Sequence, residues 1–403
     1  MNIQFPLILD GAFGTQLQKA GLPRGECPEK WVLENPDVAI RIQKAYVDAG
    51  SDVIYSPTFG ANSTVLERHG IFNKVSEYNQ NLVAISKKAA AGKALVASDL
   101  TSTGEMLYPV GGMSFEDLFE VYSEQAAALE KAGVDLFVVE TMTAVPETRA
   151  AVLAIKSVSS KPVFVSFSCD ANGKTMTGTD VCAALLIMEG LGVDAFGLNC
   201  SSGPAEMLEQ IKRLRKYSSL PLIAKPNAGL PQTVNGETVY TVGPEEFASY
   251  IPALAEEGVN IFGACCGSDD RYIAAIKKAL EGLPMKAPDP CYTDLLPCAT
   301  EKQAFMLPAD EPVSCVLPCD GSLEESLYEL DEGALFAVEI KSIEDVAAFS
   351  DAQYAVRNPL CIICDDAVLL EKTLRAYQGR PLYEGAIADE ELIPLAEKYG
   401  LII

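Results

Sequence analysis

Histidine is almost missing: the 403-residue chain has one, His69. That supply makes a Ser-His-Asp triad hard to support and a multi-histidine metal site impossible. Positive charge is also scarce, with 31 Lys and Arg against 56 Asp and Glu and a formal net charge of −25. Such a field repels polyanions and argues against nucleic-acid binding and anionic membrane surfaces. No apolar run reaches the roughly 18 residues of a membrane-spanning helix. The first ten residues lack the basic start and long apolar stretch of an export signal, and read as the opening strand of the fold. A cytoplasmic setting is therefore expected.

Hydrophobic residues make up 49% of the chain and charged residues 22%, enough for a sizeable core. The length suits one large domain and a smaller one. The 12 cysteines are scattered among apolar segments of a long chain without an export signal. They read as reduced thiols, a minority recruited to metal or catalysis.

Short, continuous apolar runs fall at 7–9, 52–55, 94–97, 136–139, 163–167, 195–198, 222–224 and 260–262. Continuity, in place of alternation, marks parallel strands buried on both faces. Helical stretches lie between them, at 37–49, 115–132, 145–157, 204–217, 244–257 and 270–283. Gly50, Gly133, Gly192 and Gly258 stand where helices must stop. No Gly-x-Gly-x-x-Gly follows the first strand, so an open dinucleotide-type sheet is disfavoured. The α/β series predicts a (β/α)8 TIM barrel over 1–284, then a Pro-containing linker over 285–312 with Pro288, Pro290 and Pro297. A smaller α/β unit over 313–403 has strands expected at 313–316, 335–340, 360–363 and 401–403, separated by helices at 322–330, 343–349, 367–377 and 389–399.

Active sites of such barrels gather at the C-terminal strand ends. There the sequence places Cys200 after the sixth strand and Cys265-Cys266 after the eighth. Next-but-one strands lie roughly 10 Å apart, close enough for inward-leaning side chains to converge. Three thiolates with an open fourth position is the pattern of a catalytic zinc. Iron–sulfur sites use four cysteines, and copper sites favour His or Met. A single strand-end Cys is more often packing than ligand, but an adjacent pair flanked by small residues has little packing rationale. Asp10 and Asn62 could equally cap the loops or helices that come after them. Glu140 closes the fourth strand. His69 suits an exposed loop, and Cys361, Cys364, Cys315 and Cys319 read as packing residues.

Seven segments, in order, resemble the homocysteine S-methyltransferase family. They are 10–15 (Asp-Gly-Ala-Phe-Gly-Thr), 58–62 (Thr-Phe-Gly-Ala-Asn), 140–143 (Glu-Thr-Met-Thr), 177–180 (Thr-Gly-Thr-Asp), 197–201 (Gly-Leu-Asn-Cys-Ser), 226–231 (Pro-Asn-Ala-Gly-Leu-Pro) and 263–267 (Gly-Ala-Cys-Cys-Gly). The likeness runs from about residue 5 to 283. It departs from the family at Ala264, where a second glycine is usual. The resemblance implies Zn2+ on Cys200, Cys265 and Cys266, with the homocysteine sulfur as added ligand and Asn227 as the oxygen ligand when substrate is absent. It implies substrate contacts from Asp10, Gly11, Ala12, Gly14, Thr15, Asn62, Glu140, Asn199 and Ser201. The Gly-rich turn suits a carboxylate and Glu140 an ammonium.

Segment 58–62 is more similar to cobalamin-dependent methionine synthases than to betaine- or S-methylmethionine-using members, which implies methylcobalamin as donor. No Asp-x-His-x-x-Gly corrinoid signature is present, so the cobalamin would sit on a separate corrinoid protein. Residues 359–403 resemble part of the pterin-binding barrel of those synthases. Cys364-Asp365 replaces the usual Asp-Ser and Glu384 the usual Asn, so a docking or dimerising remnant, giving a homo-oligomer, is preferred over a pterin site. Two alternatives stay open: another thiol acceptor or a sulfonium or betaine donor, and a non-catalytic zinc-binding assembly subunit.

Overall fold

A computed structural model describes residues 4–108, 110–234, 237–288 and 294–403. Pro290 of the expected linker lies outside them. Seven parallel strands come first: β1 (Leu7–Ile8), β2 (Val53–Tyr55), β3 (Leu95–Ala97), β4 (Phe137–Met142), β5 (Val163–Phe167), β6 (Ala195–Asn199) and β7 (Leu222–Lys225). A short antiparallel hairpin of β8 (Gln232–Val234) and β9 (Glu237–Val239) is next, then the eighth parallel strand, β10 (Val259–Phe262).

The ladder runs β1-β10-β7-β6-β5-β4, and β2 pairs with β3. Backbone contacts link these two sheets at both junctions. The Asp52 N–H donates to the Ile8 carbonyl at 2.7 Å, and parallel bridges join Ala97 to Leu136 and Leu100 to Val139. One apolar cluster takes Leu7, Val53, Ala97, Val138, Phe164, Ala195, Ile223 and Ile261 from all eight strands or their immediate flanks. That is the inward-facing layer of a (β/α)8 barrel. Aspartates just before even-numbered strands fasten the bottom rim: Asp52, Asp135 and Asp194 accept from the N–H groups of Ile8, Val96 and Val163, each at 2.8 Å.

The expected helix over 244–257 is two helices, Pro244–Ala248 and Ile251–Glu256. Pro252 sits in the first turn of the second, where its missing N–H costs nothing; in a continuous helix it would break the ladder.

The 285–312 stretch differs from the linker expectation. It contains an antiparallel hairpin of β11 (Leu295–Ala299) and β12 (Ala304–Pro308). Beyond it β13 (Cys315–Leu317), β14 (Phe336–Glu339), β15 (Leu360–Ile363) and β16 (Leu382–Glu384) form a parallel sheet in strict chain order. At the C-terminus, 401–403 gives only a bridge from Ile402 to Leu382. One face of this sheet is covered by the hairpin, through Cys298 and Leu307 against Leu335, Ala337 and Cys361. Helices Leu323–Tyr328, Ile343–Ala352, Ala367–Ala376 and Asp389–Tyr399 contribute Leu323, Phe349, Leu370 and Leu392 to the main core on the other face.

The two α/β units pack closely. Helix Val181–Gly190 is buried from Val181 to Met188 because β11 and β12 lie on its outer side. Fully buried Arg149 donates to Gln378 Oε1 at 2.9 Å and to the Leu374 carbonyl at 3.0 Å. At Gly400, where φ is +76°, a Cβ would lie 2.7–2.8 Å from the Gly190 backbone, so glycine is required there twice over. No helix among the described residues is long and apolar enough to cross a membrane.

Candidate active site

The strand ends of β6, β7 and β10 are tied through their backbones. The Cys200 N–H donates to the Lys225 carbonyl at 3.1 Å, Cys265 N–H to Pro226 at 2.8 Å, and Ala228 N–H to Cys266 at 2.9 Å. Cys200 and Ser201 both adopt left-handed backbone, φ 59° and 58°. This costly conformation for non-glycine residues is typical of functional turns. The result brings the sulfurs of Cys200, Cys265 and Cys266 within 4.8 Å of one another, with Cys200 and Cys266 at 3.8 Å. Among the described residues this is the one group of three or more metal-ligating side chains so arranged.

Hydrogen bonds from Cys265 and Cys266 pull the Cys200 thiol down to about 2. Hydrogen bonding to Cys200 pushes Cys266 up to about 11 and Cys265 well above the ordinary thiol range. A divalent cation bound among the three sulfurs would displace the thiol protons that remain. The Asn227 side chain lies against Cys200, and its buried Oδ1 has no hydrogen-bond partner among the described residues. Three soft sulfur donors beside one orphaned amide oxygen fit Zn2+. Ala264 is accommodated and fully buried.

A cavity of about 270 Å³ opens beside the sulfurs. Asp10, Gly11, Ala12, Gly14, Thr15, Glu140, Cys200, Cys265 and Cys266 line it together with Tyr55, Asp99, Thr141 and Lys225. Ser268 locks the first loop to the sulfurs: its Oγ accepts from Ala12 N–H at 3.0 Å and donates to the Cys265 carbonyl at 2.7 Å. Thr15 Oγ1 is buried without a partner among the described residues.

Buried charges form the opposite wall. Lys225 Nζ lies 3.1 Å from Glu140 Oε2, 3.4 Å from Asp10 Oδ1 and 3.7 Å from the Tyr55 ring centre. Burial opposes the Lys225 charge, but Glu140, Tyr55 and Asp10 overcome it and hold the ammonium well above its ordinary value. Burial pushes the Asp10 carboxyl up to about 6 against the pull of Lys225.

Other expected contacts stand outside the cavity lining. Asn62 caps helix Ser63–Arg68, its Oδ1 accepting from Val65 N–H at 2.9 Å. Asn199 Oδ1 accepts from Thr141 N–H and Ser166 Oγ, both at 2.9 Å, and its Nδ2 donates to Thr141 Oγ1 at 2.7 Å. It thereby holds Thr141, at φ 60°, against the cavity. Ser201 pairs with Ser168. His69 is exposed at the end of its helix, and Cys361 and Cys364 are buried on opposite sides of their sheet.

Lys225, Asp99 and Tyr240 gave no functional signal in the sequence. Tyr240 lies against Cys266 and packs on Gly267, where any side chain would strike its ring.

A family model described as homocysteine S-methyltransferase matches residues 7–280. Curated relatives include the methionine synthases of Mycobacterium leprae, 32% identical over 298 residues, and Mycobacterium tuberculosis, 31% identical over 301 residues. These alignments cover 68% and 69% of this chain and 24% and 25% of the relatives, so the chain spans about a quarter of their length. Among solved structures, the homocysteine methyltransferase MmuM from Escherichia coli, in oxidised and metallated forms, superposes with a TM-score of 0.57 at 23% identity. It covers 68% of this chain and 95% and 96% of those chains, a likeness of fold.

Proposed function

Since the chain belongs to the homocysteine S-methyltransferase family, we propose that it places a methyl group on the sulfur of homocysteine to give methionine, using Zn2+ and a methylcorrinoid presented by a separate protein. The observation that carries this reading is the meeting of three thiols at one mouth of the barrel, beside an unpartnered amide oxygen. Cys200, Cys265 and Cys266 would hold the ion, with Asn227 as the exchangeable oxygen donor. An ion held there would supply the acidity that leaves a thiol ligand deprotonated, and hence nucleophilic, at neutral pH.

The chain's own residues position the rest of the substrate. Gly14 and Thr15 offer the carboxylate end a Gly-rich turn, and the carboxylate side of the wall, Asp10 and Glu140, faces the ammonium end. Asn199 holds Thr141 in place, and Asn62 holds the turn after β2. Fixing the sulfur in one direction inside a cavity shifts the entropic cost of alignment from reaction to binding. The same reading assigns 1–284 to substrate and 313–403 to docking. The hairpin of β11 and β12 supports a docking role over a pterin site, because it covers one face of the four-stranded sheet.

The test is methyl transfer by zinc-loaded protein from methylcobalamin, S-methylmethionine and betaine in parallel. Methionine formed from methylcobalamin alone is expected. Turnover with a sulfonium or betaine donor would overturn the donor assignment. Zinc retained without thiol binding would reduce the chain to an assembly subunit.

A further inference from the structure

The buried carboxylates around the cavity differ in what they already hold. Glu29 accepts from Gly60 N–H at 2.7 Å and from the Cys27 thiol at 3.3 Å. Glu147 accepts from Ser102 Oγ, Thr103 N–H, Thr103 Oγ1 and Tyr122 Oη at 2.6–3.0 Å. Asp10 is engaged by Tyr55 N–H at 2.8 Å and by Lys225, and Glu140 by Lys225.

Asp99 is the exception. It is 8% exposed, lines the cavity and keeps a buried Oδ1 with no hydrogen-bond partner among the described residues. Its backbone is fixed, because Thr58 Oγ1 lies 3.1 Å from its N–H and 3.0 Å from its carbonyl. From this fixed backbone the side chain borders the cavity, and Oδ1 has no protein donor within reach among the described residues. A buried acceptor left unpaired is costly, and a charged donor satisfies a carboxylate best.

We propose that Asp99 is the residue that receives the substrate's ammonium group, and so makes the site specific for an amino thiol over a plain mercapto acid. The proposal rests on the homocysteine reading above and moves the ammonium anchor from Glu140, whose near oxygen Lys225 already holds, to the carboxylate that lacks a donor. Lys225 then acts as a positioning residue that keeps Asp10 and Glu140 from competing for the incoming cation. Burial raises the Asp99 carboxyl well above its ordinary value, and an arriving ammonium supplies the charge that allows it to ionise.

Zinc-loaded wild type, Asp99→Asn, Asp99→Ser and Glu140→Gln are titrated calorimetrically with L-homocysteine and with 4-mercaptobutanoate, the same chain without its ammonium. Zinc content and thermal melting are checked for each. Wild type is expected to prefer homocysteine. Both Asp99 variants are expected to lose about tenfold or more in homocysteine affinity, as for a lost charge-assisted hydrogen bond, while binding 4-mercaptobutanoate as wild type does. Equal wild-type affinity for the two thiols overturns the proposal whether or not the variants fold. So does retained preference in both Asp99 variants, with loss only in Glu140→Gln. Wild type that binds neither thiol overturns the homocysteine reading itself, and this proposal with it.

Discussion

Asp10 accepts from Tyr55 N–H and faces Lys225, yet burial holds its carboxyl at about 6 where 3.8 is ordinary. An acid whose folded pKa lies above its unfolded value favours the native state most when protonated. That share of stability is present below about pH 4 and lost as pH rises through about 6, on the order of 3 kcal/mol for so buried a group. Urea unfolding of metal-free protein at pH 4 and pH 7 should therefore show a smaller loss across this window in Asp10→Asn than in wild type. Equal losses would remove Asp10 as the source. Cys200→Ser and Cys266→Ser should each release zinc and reduce methyl transfer by more than the ~10–100-fold typical of a lost outer-shell partner, read by metal analysis and turnover. Asn227→Ala should keep its zinc. The three cysteines were legible in the sequence because an adjacent pair and a third at strand ends have few structural uses. Lys225 and Asp99 were not, since their partners Asp10, Glu140 and Thr58 are distant in sequence and meet them only when the ring of strands forms.

The strands and most helices of the barrel were legible as elements, because continuous apolar runs and terminal glycines mark them directly. The hairpin of β11 and β12 escaped for a physical reason. Pro297 and Pro308 lie within its strands, and proline near an apolar run reads as linker unless the strand is an edge or a hairpin. Strand β16, three residues with no fully buried side chain, gave no continuous apolar run. Helix Val181–Gly190, not among the helices expected from sequence, is buried from Val181 to Met188 and has no polar face, as a helix covered on its outer side requires. At this scale Gly400→Ala should lower stability by roughly 1–3 kcal/mol, because the added methyl would meet both a left-handed backbone and the Gly190 main chain. Thermal melting reads this directly. An unchanged melting temperature would mean the two units do not meet at that point.

For the whole molecule, the contacts made by Arg149, Gly400 and the hairpin predict that the barrel does not stand alone. A chain ending at residue 288 would bare the outer side of helix Val181–Gly190 and leave Arg149 buried or exposed without Gln378 and Leu374. It should be less soluble than the full chain or bind a hydrophobic dye more strongly. A soluble, dye-silent fragment with an unchanged melting curve would show the barrel to be self-sufficient. Net charge, by contrast, was legible at once and says little about the site, whose charges are few and inside.

The three backbone ties between the turns after β6, β7 and β10 have a practical corollary. Because backbone hydrogen bonds between these turns hold Cys200, Cys265 and Cys266 together, a chelator should empty the seat without collapsing it. Activity lost to chelation would then return on simple addition of the ion, at the pace of diffusion and ligand exchange, with no refolding delay.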